Sequence, residues 1–503
     1  MSNLKRVLLT IITLVVVSLL GVSLVGSLGE PQIGDRLELY QTDLVLQATE
    51  YQPDAASGID PSALRKNLLG ENPLKSALEE YQATRKSTET SLEQFRSRLA
   101  SQPASQAEEV RLAIQQQESL LDQLDLRIGL LQAKQNQVPA ALETWKTLLD
   151  RPIQRADSKP IRDTATVLSN LWSDPPQLLP DAEANIQRNL EGWFRQQALT
   201  QLYTLQQRNE ALVPLQAESQ AIAEETLLKL GIVGALPTLG GIIGIILLIT
   251  LGVRTWLRRN QPRDGTLAWN VPWTGETVWQ VLIVGFFFSG QIALPVLLRL
   301  LGIDFSGFGG RAQAVTTLVY YLLMAGTALT VLYLSIRRFF PLPEDWFRLT
   351  GKRSGLLWGV GGYFAALPLM LIVSVMNQQI WQGQGGSNPL LKIVLEEGDP
   401  IALSLFFVTA AIAAPVFEEI MFRGFLLPSL TRYFPVWGAI ALSSLIFATA
   451  HLSLSEIIPL SVLGAILGFV YTRSRGLLSC MLLHSLWNSV TMIGLFVLGS
   501  GID

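Results

Sequence analysis

Long apolar runs occur along most of the chain, but not between residues 30 and 226. The first run, 7–29, follows Lys5 and Arg6. A bilayer crossing needs roughly 20 apolar residues, whereas the apolar core of a signal peptide has about 7–15. We therefore predict an uncleaved transmembrane anchor over residues 1–29. Its basic start places the N-terminus in the cytoplasm by the positive-inside rule.

Eight further apolar runs follow the polar region and predict a transmembrane bundle. Arginines follow the runs that are expected to return to the cytoplasm, which agrees with the same rule. The runs are 227–253, 278–301, 314–336, 355–380, 401–431, 435–452, 457–472 and 477–498. With the anchor they predict about nine spans in an all-α, multi-pass integral membrane protein. We expect it in a bacterial inner membrane or an equivalent membrane.

The polar region, 30–226, has the composition of a soluble helical domain. Helix-forming residues predominate there, with leucines at three- and four-residue spacing. Both flanking spans meet the region at their outer ends, so we predict an extracytoplasmic domain. Residues 126–148 resemble one tetratricopeptide helix-turn-helix unit in which Trp145 and Leu148 fill the groove. An ordinary helical hairpin explains the pattern equally well, whereas a repeat would offer a docking surface for a protein partner.

Charge and cysteine content limit the partners and the chemistry that the chain can have. The net charge is −3, from 38 basic and 41 acidic residues, which gives no reason to expect a nucleic acid partner. The single cysteine, Cys480, cannot form an intramolecular disulfide. We interpret it as a small buried apolar side chain, and a Cys–His nucleophilic site is the alternative.

Five ionisable side chains lie inside the apolar spans that follow residue 354. They are Glu418, Glu419, Arg423, His451 and His484, the last two being the only histidines of the chain. Ionisable groups within a bilayer are rare and usually functional. They fall on three different predicted helices, and a single structural ion pair would account for only two of them. The pattern therefore predicts a functional site.

Helical geometry gives the two glutamates different surroundings. Glu419 and Arg423 are four residues apart, so they share a face and can pair. Glu418 is rotated by about 100° from Glu419, which leaves it free to act as a general base or acid. His484 and Asn488 also share a face. Histidine can orient water, donate a proton or bind a metal, and the asparagine amide can donate to an oxyanion.

Three motifs on successive helices resemble those of a known family. They are Glu-Glu-x-x-x-Arg from Glu418, Phe-x-x-x-His ending at His451, and His-x-x-x-Asn from His484. This series resembles the CPBP family, which includes the CAAX prenyl proteases, the bacteriocin-processing enzymes and the abortive-infection proteins. The resemblance covers about residues 400–497, near a fifth of the chain, and all three motifs are intact.

The resemblance implies an intramembrane endopeptidase that hydrolyses a membrane-associated or lipid-modified protein. Carried over to this sequence, Glu418 would activate the attacking water with the help of His451. His484 and Asn488 would stabilise the oxyanion. The known substrates of such enzymes are prenylated C-terminal motifs in eukaryotes and leader peptides in bacteria. Residues 400–503 would then be the catalytic core.

The same resemblance implies that Glu419 and Arg423 hold the site together or bind substrate. The family is commonly described as metal-dependent, and a metal-free glutamate mechanism is also argued for it. Glu418, His451 and His484 could form a three-ligand site for a divalent metal such as zinc, with one open position. The spacing of the residues does not decide between these mechanisms, so the cofactor stays open.

Two other function classes fit the same polar cluster. It could form a proton path in a transporter, although the bundle, including its first half at 227–399, shows no inverted repeat. It could also belong to a non-catalytic scaffold or immunity-type protein whose working part is the outer helical domain. The intact motifs favour the peptidase, because a scaffold has no need of all six residues.

Overall fold

A computed structural model of the protein describes residues 3–28, 30, 32–52, 69–101, 107–151, 158–257, 259, 268–302, 309–350 and 355–499. These residues form helices and no strand, which confirms the predicted all-α class. The helices in the first half of the chain are α1 Asn3–Ser27, α2 Gly34–Ala48, α3 Pro73–Ser101, α4 Ala107–Lys134, α5 Val138–Asp150, α6 Ser158–Leu171, α7 Ala182–Asn189, α8 Gly192–Leu205 and α9 Asn209–Leu257.

The second half continues with eight helices. They are α10 Gly275–Leu300, α11 Gly310–Phe339, α12 Gly355–Trp381, α13 Pro389–Glu396, α14 Pro400–Leu430, α15 Val436–Thr449, α16 Ile457–Ser474 and α17 Leu477–Gly499. Within the described residues, eight helices are long and apolar enough to cross a membrane: α1, α9, α10, α11, α12, α14, α16 and α17. The predicted polytopic bundle with an apolar N-terminal helix is confirmed.

The segment predicted as a further span, 435–452, forms a shorter helix than expected. Helix α15 has 14 residues, about 21 Å at a rise of about 1.5 Å per residue, whereas the hydrocarbon core measures about 30 Å. The helix stops because the chain turns at Leu452, which has φ +59°. The polar residues that follow form hydrogen bonds to another loop.

The chain divides into two compact units. One comprises Met1–Gln32 and Leu236–Phe496, and the other comprises Ile33–Ala235 with Val497–Asp503. In the second unit, α4 and α5 form a closely packed helical hairpin. The fully buried Trp145 donates from Nε1 to the Leu126 carbonyl oxygen at 3.1 Å, and a Cβ on Gly129 would lie only 2.3 Å from its ring. The reading as a tetratricopeptide unit stays a prediction.

In the first unit, the loop 382–388 between α12 and α13 is held by the turn that follows α15. We call it the glycine loop. Ser453 and Ser455 both donate to the Gly385 carbonyl oxygen, at 3.1 Å from the Ser453 hydroxyl and 3.2 Å from the Ser455 backbone nitrogen. The Asn388 backbone nitrogen donates to Glu456 at 2.7 Å. These bonds hold the segment 453–456, which follows His451.

Two residues that follow α1 bind the same loop. The Gln32 backbone nitrogen donates to the Gly383 carbonyl oxygen at 2.8 Å, and the Gly386 backbone nitrogen donates to the Glu30 carbonyl oxygen at 2.9 Å. Gly383, Gly385 and Gly386 all have positive φ, between +73° and +100°. Such backbone conformations favour glycine, so the sequence of the loop permits this set of hydrogen bonds.

The Gly385→Ala variant is expected to lower the stability of the membrane unit. Gly385 has φ +100°, and a Cβ there would lie 2.8 Å from the Trp381 ring and 2.9 Å from the Ser455 Cβ. Strain at such a position costs on the order of 1–3 kcal/mol. The unfolding temperature of the purified protein in detergent measures the effect. Gly361→Ala in α12 is the control, because a Cβ there meets nothing within 4 Å. Equal unfolding temperatures for the two variants would contradict the expectation.

Candidate active site

Helix α14 carries both glutamates at a change in its own geometry. An α-helical segment, Ala414–Glu419, is followed by a wider π-helical segment, Ile420–Leu426. Wide turns of this kind occur mostly in short stretches and often at functional sites. Phe417, Phe422 and Phe425 of this helix are buried in the core of the membrane unit. The core therefore fixes the position of the polar side chains between them.

Glu419 forms a fully buried ion pair. Its Oε1 accepts hydrogen bonds from Nη1 of Arg423 and from Nδ1 of His484, both at 2.8 Å. The side chains of Glu419 and Arg423 are 0% and 1% exposed. A second nitrogen of Arg423 donates to the Gly464 carbonyl oxygen at 3.1 Å, and the guanidinium lies 4.6 Å from the Phe447 ring centre. The pairing predicted from the four-residue spacing is confirmed.

Glu418 has different surroundings. Its side chain keeps 15% of its surface exposed, and its Oε1 accepts a hydrogen bond from the Tyr321 hydroxyl at 3.1 Å. Its Oε2 lies 3.9 Å from Nε2 of His484, which is too long for a direct hydrogen bond. No arginine or lysine pairs with it among the ion pairs of the described residues. The helical rotation therefore separates a carboxylate that is neutralised by arginine from one that is not, as the sequence predicted.

His484 lies between the two carboxylates. Its Nδ1 must donate to Glu419, because an ionised carboxylate can only accept. In the neutral imidazole this leaves Nε2, on the side of Glu418, with the lone pair. The buried ion pair thus fixes both the orientation and the tautomer of the histidine, as the carboxylate partner of an active-site histidine commonly does.

His451 and Asn488 hydrogen-bond to backbone carbonyls. Nδ1 of His451 lies 2.9 Å from the Phe447 carbonyl oxygen, so it donates there and leaves Nε2 available. The amide nitrogen of Asn488 donates to the Ala410 carbonyl oxygen in α14 at 2.7 Å. The Phe447 ring meets the rings of both histidines edge to face, with its centre 5.0 Å from the ring centre of His451 and 5.9 Å from that of His484.

The structure brings the side chains of four of the six predicted site residues together. Glu419, Arg423 and His484 are connected by hydrogen bonds, and Glu418 lies 3.9 Å from His484. The other two, His451 and Asn488, are connected to them through Phe447 and the backbone of α14. The histidine beside Glu418 is His484. The family resemblance implies His451 as the helper of Glu418 in the activation of water, and that role stays a prediction.

Tyr321 and Glu456 are polar neighbours of the site that sequence reasoning missed. Tyr321 gives no signal in the sequence, because a tyrosine in an apolar span carries no charge. Glu456 lies just before α16, and burial raises the pKa of its carboxyl above the usual value, while the nearby His451 acts in the opposite direction. Its position five residues after His451 was the available signal.

Cys480 is fully buried, and its thiol lies 3.1 Å from the Leu477 carbonyl oxygen of its own helix. This confirms the interpretation of Cys480 as a small buried side chain. A thiol that is enclosed in this way cannot reach a substrate, so the cysteine nucleophile has no support in the geometry.

The side chains around Glu418 do not form the three-ligand metal site that the sequence allows. In the part of the chain that the structure describes, no group of three or more histidine, cysteine, aspartate or glutamate side chains could hold a metal ion. Glu418 and His484 face each other, but His451 does not join them as a third ligand. The arrangement does not fit a three-ligand zinc centre.

Comparison with known proteins supports the family resemblance that the three motifs carry. Residues 400–490, which include all six predicted site residues, match the family model described as Rce1-like, type II CAAX prenyl endopeptidase. The "Putative membrane peptidase YdiL" of Bacillus subtilis (strain 168) is 24% identical over 217 residues, 41% of this chain and 83% of the relative. The "Membrane-embedded CAAX protease MroQ" of Staphylococcus aureus (strain USA300) is 25% identical over 224 residues, 43% and 89%. No solved structure matches significantly.

Proposed function

The chain carries a CPBP-family domain at residues 400–490 in an integral, multi-pass membrane protein, and on that premise we propose that it is an intramembrane endopeptidase. Its substrate would be a membrane-associated or lipid-modified protein. One observation carries the proposal: Glu418 keeps a partly exposed carboxylate without an arginine or lysine partner, directly beside the buried Glu419 that pairs with Arg423. A general base needs the first environment, and a positioning group needs the second.

We place the attacking water beside Glu418 and His484, within hydrogen-bond reach of both. Their facing atoms, Oε2 and Nε2, are 3.9 Å apart, a separation that one water can bridge. Glu418 takes a proton from this water, whose oxygen attacks the carbonyl carbon of the scissile bond. The proton then passes to the leaving amine as the bond between carbon and nitrogen breaks. General base catalysis of this kind contributes roughly 10²–10⁴-fold to a rate.

Glu419 and Arg423 position His484 and do not take part in the reaction themselves. Both side chains are buried from solvent, which favours a role in holding the site together over direct binding of the substrate. Their pair fixes Nδ1 of His484 as the donor and keeps Nε2 facing the water. Because this geometry exists before substrate binds, no reorganisation is needed during the reaction.

Asn488 and His451 complete the proposed site. The Asn488 amide uses one hydrogen on the Ala410 carbonyl oxygen and has a second for the developing oxyanion. His451 offers Nε2, because its Nδ1 is bound to the Phe447 carbonyl oxygen. We assign His451 to orienting the substrate or the leaving amine. For the topology we propose a cytoplasmic N-terminus in a bacterial inner membrane or an equivalent one.

Identification of cleaved termini in proteoliposomes tests the proposed function. The purified protein would be reconstituted with membrane proteins of its host, and newly formed N-termini would be labelled and sequenced. We expect discrete cleavage sites within or next to membrane segments, in the presence of a chelator as well as in its absence. An absence of new termini would refute the peptidase. Loss of cleavage on chelation, with recovery on addition of zinc, would replace the glutamate mechanism by a metal-dependent one.

A further inference from the structure

Tyr321 contributes a fourth helix to the site. It lies in α11, outside the region 400–490 that matches the family model, and its hydroxyl donates to Oε1 of Glu418 at 3.1 Å. We propose that Tyr321 is a positioning residue for the catalytic base, an inference that rests on the proposed function. It determines which oxygen of Glu418 faces the attacking water.

The hydrogen bond makes the two oxygens of Glu418 different. Oε1 is occupied by the Tyr321 hydroxyl, and Oε2 is the atom that faces Nε2 of His484. Without the hydroxyl, the carboxylate could rotate about its last torsion angle, which is broad in glutamate. The base would then spend only part of its time in the geometry that takes a proton.

The surrounding aromatic side chains hold Tyr321 in place. Its ring meets Phe417 edge to face, with ring centres 6.0 Å apart, and Phe417 in turn stacks on Phe286 at 5.9 Å. Phe417 directly precedes Glu418 in the chain. Rings in such contacts have little rotational freedom, so the hydroxyl and the carboxylate are set by the same packed cluster.

A second contact connects α11 to α14. The guanidinium of Arg311, in the first turn of α11, forms an ion pair with Asp399, the residue that caps α14. Asp399 also accepts a hydrogen bond from the Ile401 backbone nitrogen at 3.0 Å. The two helices are therefore connected at their starts and again at the level of Tyr321 and Glu418, so a sliding motion would break both contacts.

Tyr320 provides a matched control on the same helix. Its hydroxyl donates to the Gly290 carbonyl oxygen in α10 at 2.7 Å, and this bond serves the packing of two helices. Adjacent residues on a helix point about 100° apart, so the two tyrosines contact different neighbours. Tyr320→Phe and Tyr321→Phe each remove one hydroxyl and one hydrogen bond, but only the second change reaches Glu418.

The test measures kcat and KM for the two variants on a substrate that the wild-type protein cleaves in proteoliposomes. Tyr321→Phe is expected to lower kcat about 10- to 100-fold, the effect of losing a hydrogen bond to a charged group. Its KM should stay within about twofold of the wild-type value, since no substrate contact is lost. Tyr320→Phe should leave both constants near wild type. An unchanged kcat for Tyr321→Phe, with an inactive Glu418→Gln, would overturn the positioning role and leave the peptidase standing.

Infrared spectroscopy tests the same contact without any substrate. The difference between wild-type and Glu418→Gln spectra isolates the carboxylate band of Glu418. We expect Tyr321→Phe to shift this band and Tyr320→Phe to leave it in place. A band that is identical in all proteins with Glu418 intact would overturn the inference, even if no cleavage were found. A shift without any cleavage by the wild type would keep the contact but refute the enzyme, and with it the positioning role.

Discussion

The Glu418→Gln variant is expected to lose cleavage by about 10²–10⁴-fold in kcat/KM, because general base catalysis contributes that much. Glutamine has nearly the same shape and can still accept the hydrogen bond from Tyr321, but it cannot take a proton from water. Glu418 has no arginine or lysine partner among the ion pairs of the described residues, so its replacement leaves no buried cation unpaired. The unfolding temperature should therefore stay at the wild-type value.

The value of kcat/KM is measured in proteoliposomes, and the unfolding temperature is measured in detergent. Glu276→Gln is the control, because Glu276 lies outside the site and pairs with Arg6 at 2.5 Å. It is expected to cleave at the wild-type rate. A Glu418→Gln protein that still cleaves at that rate would show that another group activates the water. A loss of activity that is accompanied by unfolding would assign Glu418 a structural role.

Replacing Arg423 by methionine is expected to have the largest effect on stability. Methionine fills much of the same volume but leaves the carboxylate of Glu419 buried without its cation. Removal of one partner from a buried ion pair costs about 3–5 kcal/mol. The expected loss of folding free energy should appear as a large fall in the unfolding temperature of the detergent-solubilised protein.

Two further variants show whether the cost comes from the pair. Arg473→Met makes the same substitution at an exposed position near the end of α16, where surface changes are usually within about 0.5 kcal/mol. The double variant of Glu419→Gln with Arg423→Met removes both charges and should recover part of the lost stability. If Arg423→Met unfolds at the same temperature as Arg473→Met, the ion pair does not hold the site together.

The membrane helices and the Glu419–Arg423 pair could be predicted from the sequence because both follow from local rules. A segment in lipid must satisfy its backbone hydrogen bonds internally, so a long apolar run becomes a helix. The four-residue spacing of Glu419 and Arg423 then determines that they share a face, and Glu418 does not. These rules need no knowledge of how the helices pack.

The remaining features depend on packing between distant parts of the chain. Tyr320 and Tyr321 are equivalent in the sequence, and only the position of α11 decides that Tyr321 reaches Glu418. Helix α15 ends early because Ser453 and Ser455 bind the glycine loop, almost 70 positions earlier in the chain. The contact between His484 and Glu419 crosses 65 positions. No periodicity in the sequence shows which distant segments will meet in this way.

Cleavage in water enriched in oxygen-18 tests the central claim most directly. Mass spectrometry of the product would be carried out for the wild-type protein and for Glu418→Gln on the same membrane substrate. If Glu418 activates a water, the wild type should yield a product with one oxygen-18 atom in its new terminal carboxylate. Glu418→Gln should yield almost no product in the same time. Equal amounts of labelled product from both proteins would contradict the proposed role of Glu418.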